Sequence, residues 1–580
     1  MALIPVVGRK SAKMRGLLLG IYFLLCFGAF TTLYPFLIMI GSSITTDYDL
    51  AQYKIIPSYL TSNSALEAKY AEDKYNANIT TLSDAYQTTY TSLQKVEVPN
   101  DPSKVKLVPK WRSFFAALPL MYKQPGFLGA SGQYVPSKLL NRYRDWASNK
   151  YHGSIDELNK AYTEENTSFL TLFPPYQRPT TRLFLPAQTV KSKDWAEFEK
   201  SLPENWMNPV LCDALYRHYL HDEVYQSGKI ADLNTVWHTH YTDWTQITLP
   251  ERLAQAPYPS DWTNFVRTKM PLRFVAIVHI PYPNPHWNTE YIPVLDDNAT
   301  GDQVRAAANR VSKEDPKIIA VMSIENQWRD QQGQSTPIPL AEDDIEYVDS
   351  HASDIRSEFV TRNYRFALDY LALHGRGLLN TVIYCVGAVL VAVIVNPMAA
   401  YALSRFKMKQ SVALLLFCLA TMAFPAEVTM IPNFLLIKQL GLLNTYWALI
   451  IPGAGSGFSI FLLKGFFDSL PPELYEAGML DGASEMTLFY KVTLPLSKPI
   501  FAVIALGAFT SMYSSYLFAM TIEQAQGQWP LMVWIYELSA QSAPAYAMMA
   551  ALMCAALPTL VVFLFAQNVI MKGIILPSYK

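Results

Sequence analysis

Charged side chains are scarce in this sequence of 580 residues. They make up 16% of the chain, whereas ordinary soluble domains hold about 25%. Positive and negative charges nearly cancel, which leaves a formal net charge of −1. Because nucleic-acid binding depends on a surplus of positive charge, the composition gives no reason to expect a nucleic-acid partner. Hydrophobic residues make up 51% of the chain and are unevenly spread along it.

Cysteine is also rare, with five residues in the whole chain. Four of them lie in apolar runs, where a small buried thiol is the ordinary role: Cys26, Cys385, Cys418 and Cys554. Cys212 is alone in the polar middle region, which therefore has no internal disulfide. No Cys-x-x-Cys pair, no Cys/His cluster with metal-ligand spacing and no Gly-x-x-x-x-Gly-Lys-Ser/Thr sequence occurs. We therefore expect no metal, cofactor or ATP site on this chain.

Long uncharged runs, by contrast, are abundant. A membrane-spanning helix needs roughly 20 mostly apolar residues. The candidate runs are residues 16–46, 377–404, 410–426, 441–463, 499–522 and 538–571. Pro425 and Pro432 interrupt the third run, which we expect to continue through residues 434–437 as a kinked or broken helix, because neighbouring protein can satisfy its backbone. The sequence predicts an α-helical polytopic membrane protein with six transmembrane helices.

Lysine and arginine predict the orientation, because they concentrate on the cytoplasmic side of membrane helices. The basic clusters are Arg9, Lys10, Lys13 and Arg15 before the first run, Arg405, Lys407 and Lys409 after the second, and Lys572 and Lys580 after the last. The linkers that should face outward hold Glu427 with Lys438, and Glu523 with Glu537. All three basic clusters then lie on one side, which predicts cytoplasmic termini. The first run is too long for a signal-peptide core and has no Ala-x-Ala site, which favours a membrane anchor.

This topology divides the chain into four parts. They are a cytoplasmic N-terminus (1–15), a first transmembrane helix (16–46), an extracytoplasmic insertion (47–374) and a membrane core with five transmembrane helices (375–580). The insertion is too long and too aromatic for a linker or a disordered segment.

A pattern recurs three times in the insertion. The three copies are "KYNANITTLSDAYQTTYTSL" from Lys74, "KYHGSIDELNKAYTEENTSF" from Lys150 and "VYQSGKIADLNTVWHTHYTDW" from Val224. In each copy a tyrosine is followed by isoleucine, then leucine three residues later, then an aromatic residue four residues later. These spacings place the last three side chains on one face of a helix. The pattern predicts about three related, mainly helical units of roughly 65–85 residues.

A second element, rich in tryptophan and phenylalanine, lies between the copies. It occurs as "WRSFFAALP" from Trp111, "WAEFEKSLP" from Trp195 and "WTNFVRTKMP" from Trp262. These aromatic residues either pack the core of each unit or line a groove that stacks on carbohydrate rings. The tyrosine pattern also resembles a short segment of β-galactosidase-type glycoside hydrolase barrels, without a catalytic carboxylate. "FVAIVHIPYPNP" from Phe274 and "KIIAVMSI" from Lys317 predict strands.

One polar segment, residues 471–499, lies between the fourth and fifth runs, on the predicted cytoplasmic side. Its signals are Pro471-Pro472 at a helix start, Asp481-Gly482 at a break, Ser484 as the cap of a second short helix through Tyr490, and Leu494-Pro495 at the end of that helix. They predict a compact amphipathic hairpin, which fits a groove on a cytoplasmic partner. An ordinary loop would not need helix-start, turn and helix-end residues at these positions.

The hairpin resembles the "EAA" coupling loop of ATP-binding-cassette importer permeases. The matching residues are Glu476, Ala477 and Gly478, then Asp481, Gly482 and Ala483, then Leu494 and Pro495. Gly478 departs from the family, which usually has alanine there. The similarity widens to the maltose-transporter class through "LNTVIYCVGAVLVAVIVNPMAAYALSRFKMK" from Leu379, "MIPNFLLIKQLGLLNTYWALIIP" from Met430 and "QNVIMKGIILPSYK" from Gln567.

The resemblance implies a permease subunit, in a bacterial inner membrane, of an importer that carries carbohydrate. It also implies three partners: ABC ATPase subunits, a second permease subunit and an extracytoplasmic solute-binding protein. Two further features depart from the family. Residues 513–516, Tyr-Ser-Ser-Tyr, replace a common Trp-Asn pair, and the insertion is far larger than the usual first loop. We expect the insertion to hold or orient the binding protein. The alternatives are a membrane-tethered glycan-binding or glycan-hydrolysing protein and a non-transporting receptor or scaffold.

Overall fold

A computed structural model describes most of the chain. It covers residues 12–127, 138–175, 177, 179–185, 188–279, 290–296, 299–333, 336–373, 375–406, 410–420, 425–540 and 543–573. The chain divides into two compact units, Met1–Arg362 and Asn363–Lys580. The predicted boundary at residue 374 lies outside the described residues. So do Arg9, Lys10, Lys407, Lys409 and Lys580 of the basic clusters and the side chains of Lys13, Glu427 and Lys572.

The first unit is mainly helical. Its helices are α1 (Ala12–Ser42), α2 (Asp47–Leu50), α3 (Asn63–Lys74), α4 (Ile79–Tyr86), α5 (Pro102–Val105), α6 (Val108–Ala117), α7 (Lys138–Lys150), α8 (Ile155–Tyr162), α9 (Val190–Lys200), α10 (Cys212–His218), α11 (Ile230–Trp237), α12 (Pro259–Thr268), α13 (Gly301–Lys313), α14 (Ile324–Gln332) and α15 (Leu340–Leu373). Helix α15 is kinked at His351 and continues into the second unit.

Two small antiparallel sheets complete the first unit. The strands are β1 (Lys123–Pro125), β2 (Met207–Pro209), β3 (Val275–His279), β4 (Glu290–Pro293) and β5 (Ile319–Val321). Strand β1 pairs with β2, with Gln124 opposite Asn208. Strand β3 lies between β4 and β5, so both predicted strands exist and pair with each other. The last residues of the first predicted strand segment, from residue 280, lie outside the described part of the chain.

The three copies of the tyrosine pattern adopt the same local structure. Each forms an eight-residue helix, α4, α8 or α11. Each helix ends at a left-handed residue, which is Gln87, Thr163 or His238. A left-handed residue at a helix end satisfies carbonyl groups that the helix leaves without partners. The shared sequence pattern thus produces a shared helix length and a shared helix end.

A carboxylate sits between the two ring side chains of each copy. Asp194 Oδ2 accepts from the hydroxyl groups of Tyr151 at 2.7 Å and Tyr162 at 3.1 Å. Asp261 Oδ2 accepts from the Tyr225 hydroxyl at 2.8 Å and from Trp237 Nε1 at 2.9 Å. These two acids lie on α9 and α12, immediately before the tryptophans of the second recurring element. These bonds attach α8 to α9 and α11 to α12.

The first copy obtains its carboxylate from a distant helix. Residue 110, before Trp111, is lysine, and Asp344 of α15 takes the place of the missing acid. Asp344 Oδ2 accepts from Tyr75 at 3.1 Å and from Tyr86 at 2.9 Å. Its Oδ1 accepts from Lys74 Nζ at 2.5 Å. Helix α15 is thus part of the core that holds the first copy.

The recurring tryptophans are core residues. Trp111, Trp195 and Trp262 are at most 3% exposed. Trp111 packs edge-on against Trp328 with ring centroids 5.5 Å apart. Side chains buried to this extent cannot stack on a carbohydrate from solution, so the packing interpretation holds for these three residues.

The second unit contains the remaining helices. They are α16 (Gly375–Arg405), α17 (Ser411–Ala420), α18 (Ala426–Gln439), α19 (Tyr446–Ile450), α20 (Gly457–Asp468), α21 (Pro472–Leu480), α22 (Glu485–Leu488), α23 (Leu494–Leu496), α24 (Lys498–Tyr513), α25 (Tyr516–Ile522), α26 (Leu531–Ala540) and α27 (Ala545–Gly573).

Three described helices are long and apolar enough to cross a membrane: α1, α16 and α27. Two bent helix pairs raise this number to five if each pair is one span, and α17 and α26 are shorter apolar helices. The predicted 441–463 run is broken at residues 454–456, and the helical segments on either side, Tyr446–Gly453 and Gly457–Asp468, are bent by 48°. The predicted 499–522 run is likewise broken at Ser514 and Ser515. The last run begins at Ala545 rather than at residue 538, since α26 is a separate helix.

Candidate functional site

The polar segment folds into a helical hairpin. Helix α21 begins directly after Pro471 with Pro472 at its first position, as predicted, and Glu473 lies in its first turn. A proline costs no hydrogen bond there, and an acid is favourable near the positive end of the helix dipole. Gly482 has a φ of +75°, which reverses the chain after Asp481. Ser484 then caps α22, and its Oγ accepts from the Thr487 amide at 3.3 Å.

The second half of the hairpin is longer than predicted. Helix α22 continues as a π-helical turn over Phe489–Thr493 and then as α23. Leu494-Pro495 therefore does not end the helix, which instead breaks at Ser497 and bends by 82° into α24. Proline has no amide hydrogen to donate to the carbonyl one turn back, and a wider turn accommodates the proline ring. The predicted helix end at Leu494-Pro495 was therefore wrong, and the chain changes direction only after Ser497.

Gly478 allows the two halves of the hairpin to approach closely. A Cβ atom at this position would lie 2.5 Å from Leu488 Cδ2, and Leu488 is 2% exposed. The family alanine is therefore replaced at the point where α21 crosses over α22. The departure from the motif has a packing reason, which the sequence alone does not reveal.

Buried contacts attach the hairpin to the end of α16. Tyr475 is fully buried, and its hydroxyl group lies 3.0 Å from Thr493 Oγ1 in the other half of the hairpin. The Arg405 guanidinium lies over the Tyr475 ring, 3.7 Å from its centroid. The Tyr401 hydroxyl donates to Glu485 Oε2 at 2.7 Å. Tyr401 and Arg405 lie at the C-terminal end of α16, so the hairpin packs directly against the end of this long apolar helix.

The tip of the hairpin is exposed and partly apolar. Glu476, Ala477, Asp481 and Gly482 are exposed, while Gly478 and Ala483 are half-buried. Large apolar side chains surround them, namely Leu474, Met479, Leu480, Met486 and Tyr490. Leu480 is 89% exposed. Exposed apolar side chains clustered around a carboxylate are typical of a surface that binds another protein.

Leu494 and Pro495 lie apart from this tip. They line a largely apolar cavity of about 450 Å³, together with Val393, Ile394, Met398, Phe489, Tyr490, Lys498 and Phe501. The structure thus brings six of the eight predicted site residues together at the tip and places the other two on the side facing α16. Tyr475, Tyr401 and Arg405 were not predicted, because no local pattern marks a contact between segments some 70 residues apart.

Comparison with known proteins matches this part of the chain. The family model described as "Binding-protein-dependent transport system inner membrane component" matches residues 388–575. These residues include the whole hairpin and the helices on both sides of it. The match does not extend to the first unit.

Individual relatives and a solved structure each align with about a third of the chain. The chain is 32% identical over 233 residues to the polygalacturonan/rhamnogalacturonan transport system permease protein YtcP of Bacillus subtilis, covering 37% of this chain and 80% of the relative. It is 34% identical over 196 residues to protein LplC of the same organism, covering 31% of this chain and 66% of the relative. A solved bacterial ABC transporter involved in the import of alginate aligns with 36% of this chain and 78% of its own chain, at 28% identity and a TM-score of 0.32.

Proposed function

The chain belongs to the family of binding-protein-dependent transport system inner membrane components, the permease subunits of ATP-binding-cassette importers, and we propose that it moves a carbohydrate into the cytoplasm. It is a multi-pass membrane protein. The proposed solute class is supported by a relative that is named for polygalacturonan/rhamnogalacturonan transport. The hairpin at residues 471–499 is the single structural observation that carries the transport function.

The hairpin couples ATP hydrolysis on a partner chain to movement of the membrane helices. Its exposed apolar side chains enter a groove of an ABC ATPase, and Glu476 pairs with a basic group there. The contacts of Tyr475 with Arg405 and of Glu485 with Tyr401 then transmit the movement of the ATPase to α16. Closure of the ATPase thereby moves a helix that borders the transport path.

The complete importer contains further proteins. A second permease subunit completes the path, because one chain of this type supplies only half of the helices. A solute-binding protein delivers the carbohydrate from the other side of the membrane. The protein lies in a bacterial inner membrane with both termini in the cytoplasm, as the basic residues predict.

The insertion at residues 47–374 is an extracytoplasmic domain built from three repeats, and it holds or orients the solute-binding protein. The recurring helix ends and the three tyrosine–carboxylate clusters support the repeat. The buried tryptophans support a rigid folded domain rather than a spacer. A photo-crosslinking residue at Val236, which is exposed on α11, tests docking: an adduct with the binding protein supports it, and its absence from every exposed position of the three segments contradicts it.

Charge reversal at the hairpin tip tests the coupling role. We expect Glu476→Lys and Gly482→Asp to abolish solute uptake and to leave the amount of chain in the membrane unchanged. Gly482→Asp adds a side chain where φ is +75°, which costs about 1 kcal/mol, and adds a charge at the contact. Glu157→Lys, the same charge change on exposed helix α8, is the matched control and should transport normally.

Two readouts separate the possible outcomes. Co-purification of the ATPase measures assembly, and uptake per ATP hydrolysed measures coupling. The expected result is loss of uptake in both hairpin variants, with normal uptake and normal co-purification of the ATPase in the Glu157→Lys control. Normal uptake by both hairpin variants would show that this surface does not couple the ATPase.

A further inference from the structure

The loop at residues 51–56 exposes an apolar surface that neither repeat packing nor transport explains. Tyr53 is 66% exposed, Ile56 is 63% exposed and Ile55 is 39% exposed. Lys54, between them, is exposed as well. Outside α1, most large apolar side chains of the first unit are buried, so this exposed cluster needs a partner.

The position of the loop relative to α1 is fixed by backbone contact. Gly41 lies in the last turn of α1, and a Cβ atom there would clash with the carbonyl oxygens of Lys54 and Ile55. Only glycine lets the loop lie directly against the helix. Ile40, one residue earlier, is still 43% exposed, whereas Gly41, Ser42 and Ser43 are buried.

The loop has a defined shape. Tyr53 adopts a left-handed φ of +46°. The Lys54 ammonium donates to Ser58 Oγ at 2.6 Å, which closes the turn. After the loop, the Tyr59 hydroxyl donates to the Ile44 carbonyl at 3.0 Å, and Arg356 Nε donates to the Tyr59 carbonyl at 3.0 Å. These hydrogen bonds therefore hold the exposed side chains in a defined position at the end of α1.

The length of α1 sets the depth of the loop. The candidate span Met14–Ser42 has 29 residues, whereas about 20 residues at 1.5 Å each cross the hydrocarbon core. If the span is centred on the core, Gly41 lies roughly 20 Å from the bilayer centre, which is the level of the head groups. Tyrosine is enriched at this level, and a lysine there extends its ammonium toward phosphate groups.

We propose that the 51–56 loop inserts into the head-group region of the bilayer, in the leaflet next to the first unit. Tyr53, Ile55 and Ile56 enter the upper part of the lipid, and Lys54 binds lipid phosphate. The loop is continuous with the lipid-facing surface of α1, whose exposed side chains run up to Ile40. The loop thereby fixes how closely the first unit approaches the membrane.

Site-specific photo-crosslinking tests this placement in the full-length chain. A diazirine-bearing residue replaces Ile56 in the complete importer reconstituted into phosphatidylethanolamine/phosphatidylglycerol vesicles, and adducts are identified by mass spectrometry. Leu24, 72% exposed on α1, is the positive control, and Val236, 41% exposed on α11, is the negative control. Insertion of each variant is verified by its resistance to carbonate extraction.

The expected result is a lipid adduct at position 56 in a yield comparable to that at position 24, with none at position 236. Only the water-quenched product at position 56, with a lipid adduct at position 24, would overturn the proposal. An adduct with another protein subunit in place of lipid would also overturn it, since the loop would then be a subunit interface. A second probe at Tyr53 guards against a local defect at position 56.

Discussion

Removal of the Tyr475 side chain should uncouple the importer. Tyr475 is the buried residue that joins both halves of the hairpin and the end of α16. We expect Tyr475→Ala to abolish solute uptake while the partner ATPase still hydrolyses ATP. Tyr475→Phe, which keeps the ring, should retain most of the uptake.

The structure gives the size of both effects. Truncation of a buried aromatic ring to alanine costs about 3–5 kcal/mol, part of which is the cation–π contact with Arg405. A loss of about 4 kcal/mol lowers the equilibrium constant for hairpin docking roughly a thousandfold. Tyr475→Phe removes only the hydroxyl group, and Thr493 Oγ1 retains its bond to the Leu488 carbonyl at 3.4 Å. That change costs about 1 kcal/mol, or roughly fivefold.

The assay is transport by the complete importer in proteoliposomes. Solute uptake and ATP hydrolysis are measured together, so that the ratio of the two reports coupling. Tyr22→Ala is the control, because Tyr22 is a 62% exposed tyrosine on α1. Wild-type coupling in Tyr475→Ala, or equal loss in the phenylalanine and alanine variants, would refute the role of the buried ring.

Three further predictions concern the first unit. A cysteine at exposed Glu157 on α8 should react with a membrane-impermeant thiol reagent in intact cells, and reaction only after lysis of the inner membrane would reverse the predicted topology. Burial raises the pKa of Glu325 to about 8, so the folded state binds the carboxyl proton more tightly than the unfolded state. The stability of the folded state should therefore fall as the pH rises from about 5 to 8. Glu325→Gln should reduce this fall, measured by thermal melts at each pH. Asp261→Leu leaves two donors, Tyr225 and Trp237, without their acceptor, and should destabilise the unit by about 2–5 kcal/mol. The measurement is denaturant unfolding followed by tryptophan fluorescence. A loss of less than about 0.5 kcal/mol would contradict the structural role of this carboxylate.

Local sequence signals predicted the parts of the structure that local physics decides. Turn residues and apolar spacing predicted the start of α21 at Pro472, the chain reversal at Gly482 and the short helices α4, α8 and α11. The same signals failed where the backbone breaks inside apolar sequence. The composition of residues 441–463 and 499–522 is uniform enough for one span each, but glycine and serine pairs interrupt both helices.

The sequence alone did not predict the contacts between distant segments. Nothing near Gly478 indicates that Leu488 occupies the space of its missing methyl group. Nothing near Tyr75 indicates that its acceptor is Asp344. In the other two copies the equivalent acids lie only 24–44 residues from their partners, so the pattern directs attention to nearby acids. Such pairs depend on the final packing, which no single segment encodes.

The acceptor of the first copy has a consequence for the order of events during biosynthesis. Lys74 and Tyr75 leave the ribosome about 270 residues before Asp344, as the separations of 270 and 269 show. The carboxylates of the second and third copies, by contrast, follow within 44 residues of their partners. The first copy must wait, with a lysine destined for burial still hydrated, until α15 has followed. We therefore expect the polar cluster of the first copy to form late, so that a nascent chain halted before residue 344 should remain sensitive to protease around residues 74–86, whereas a chain that includes α15 should resist there.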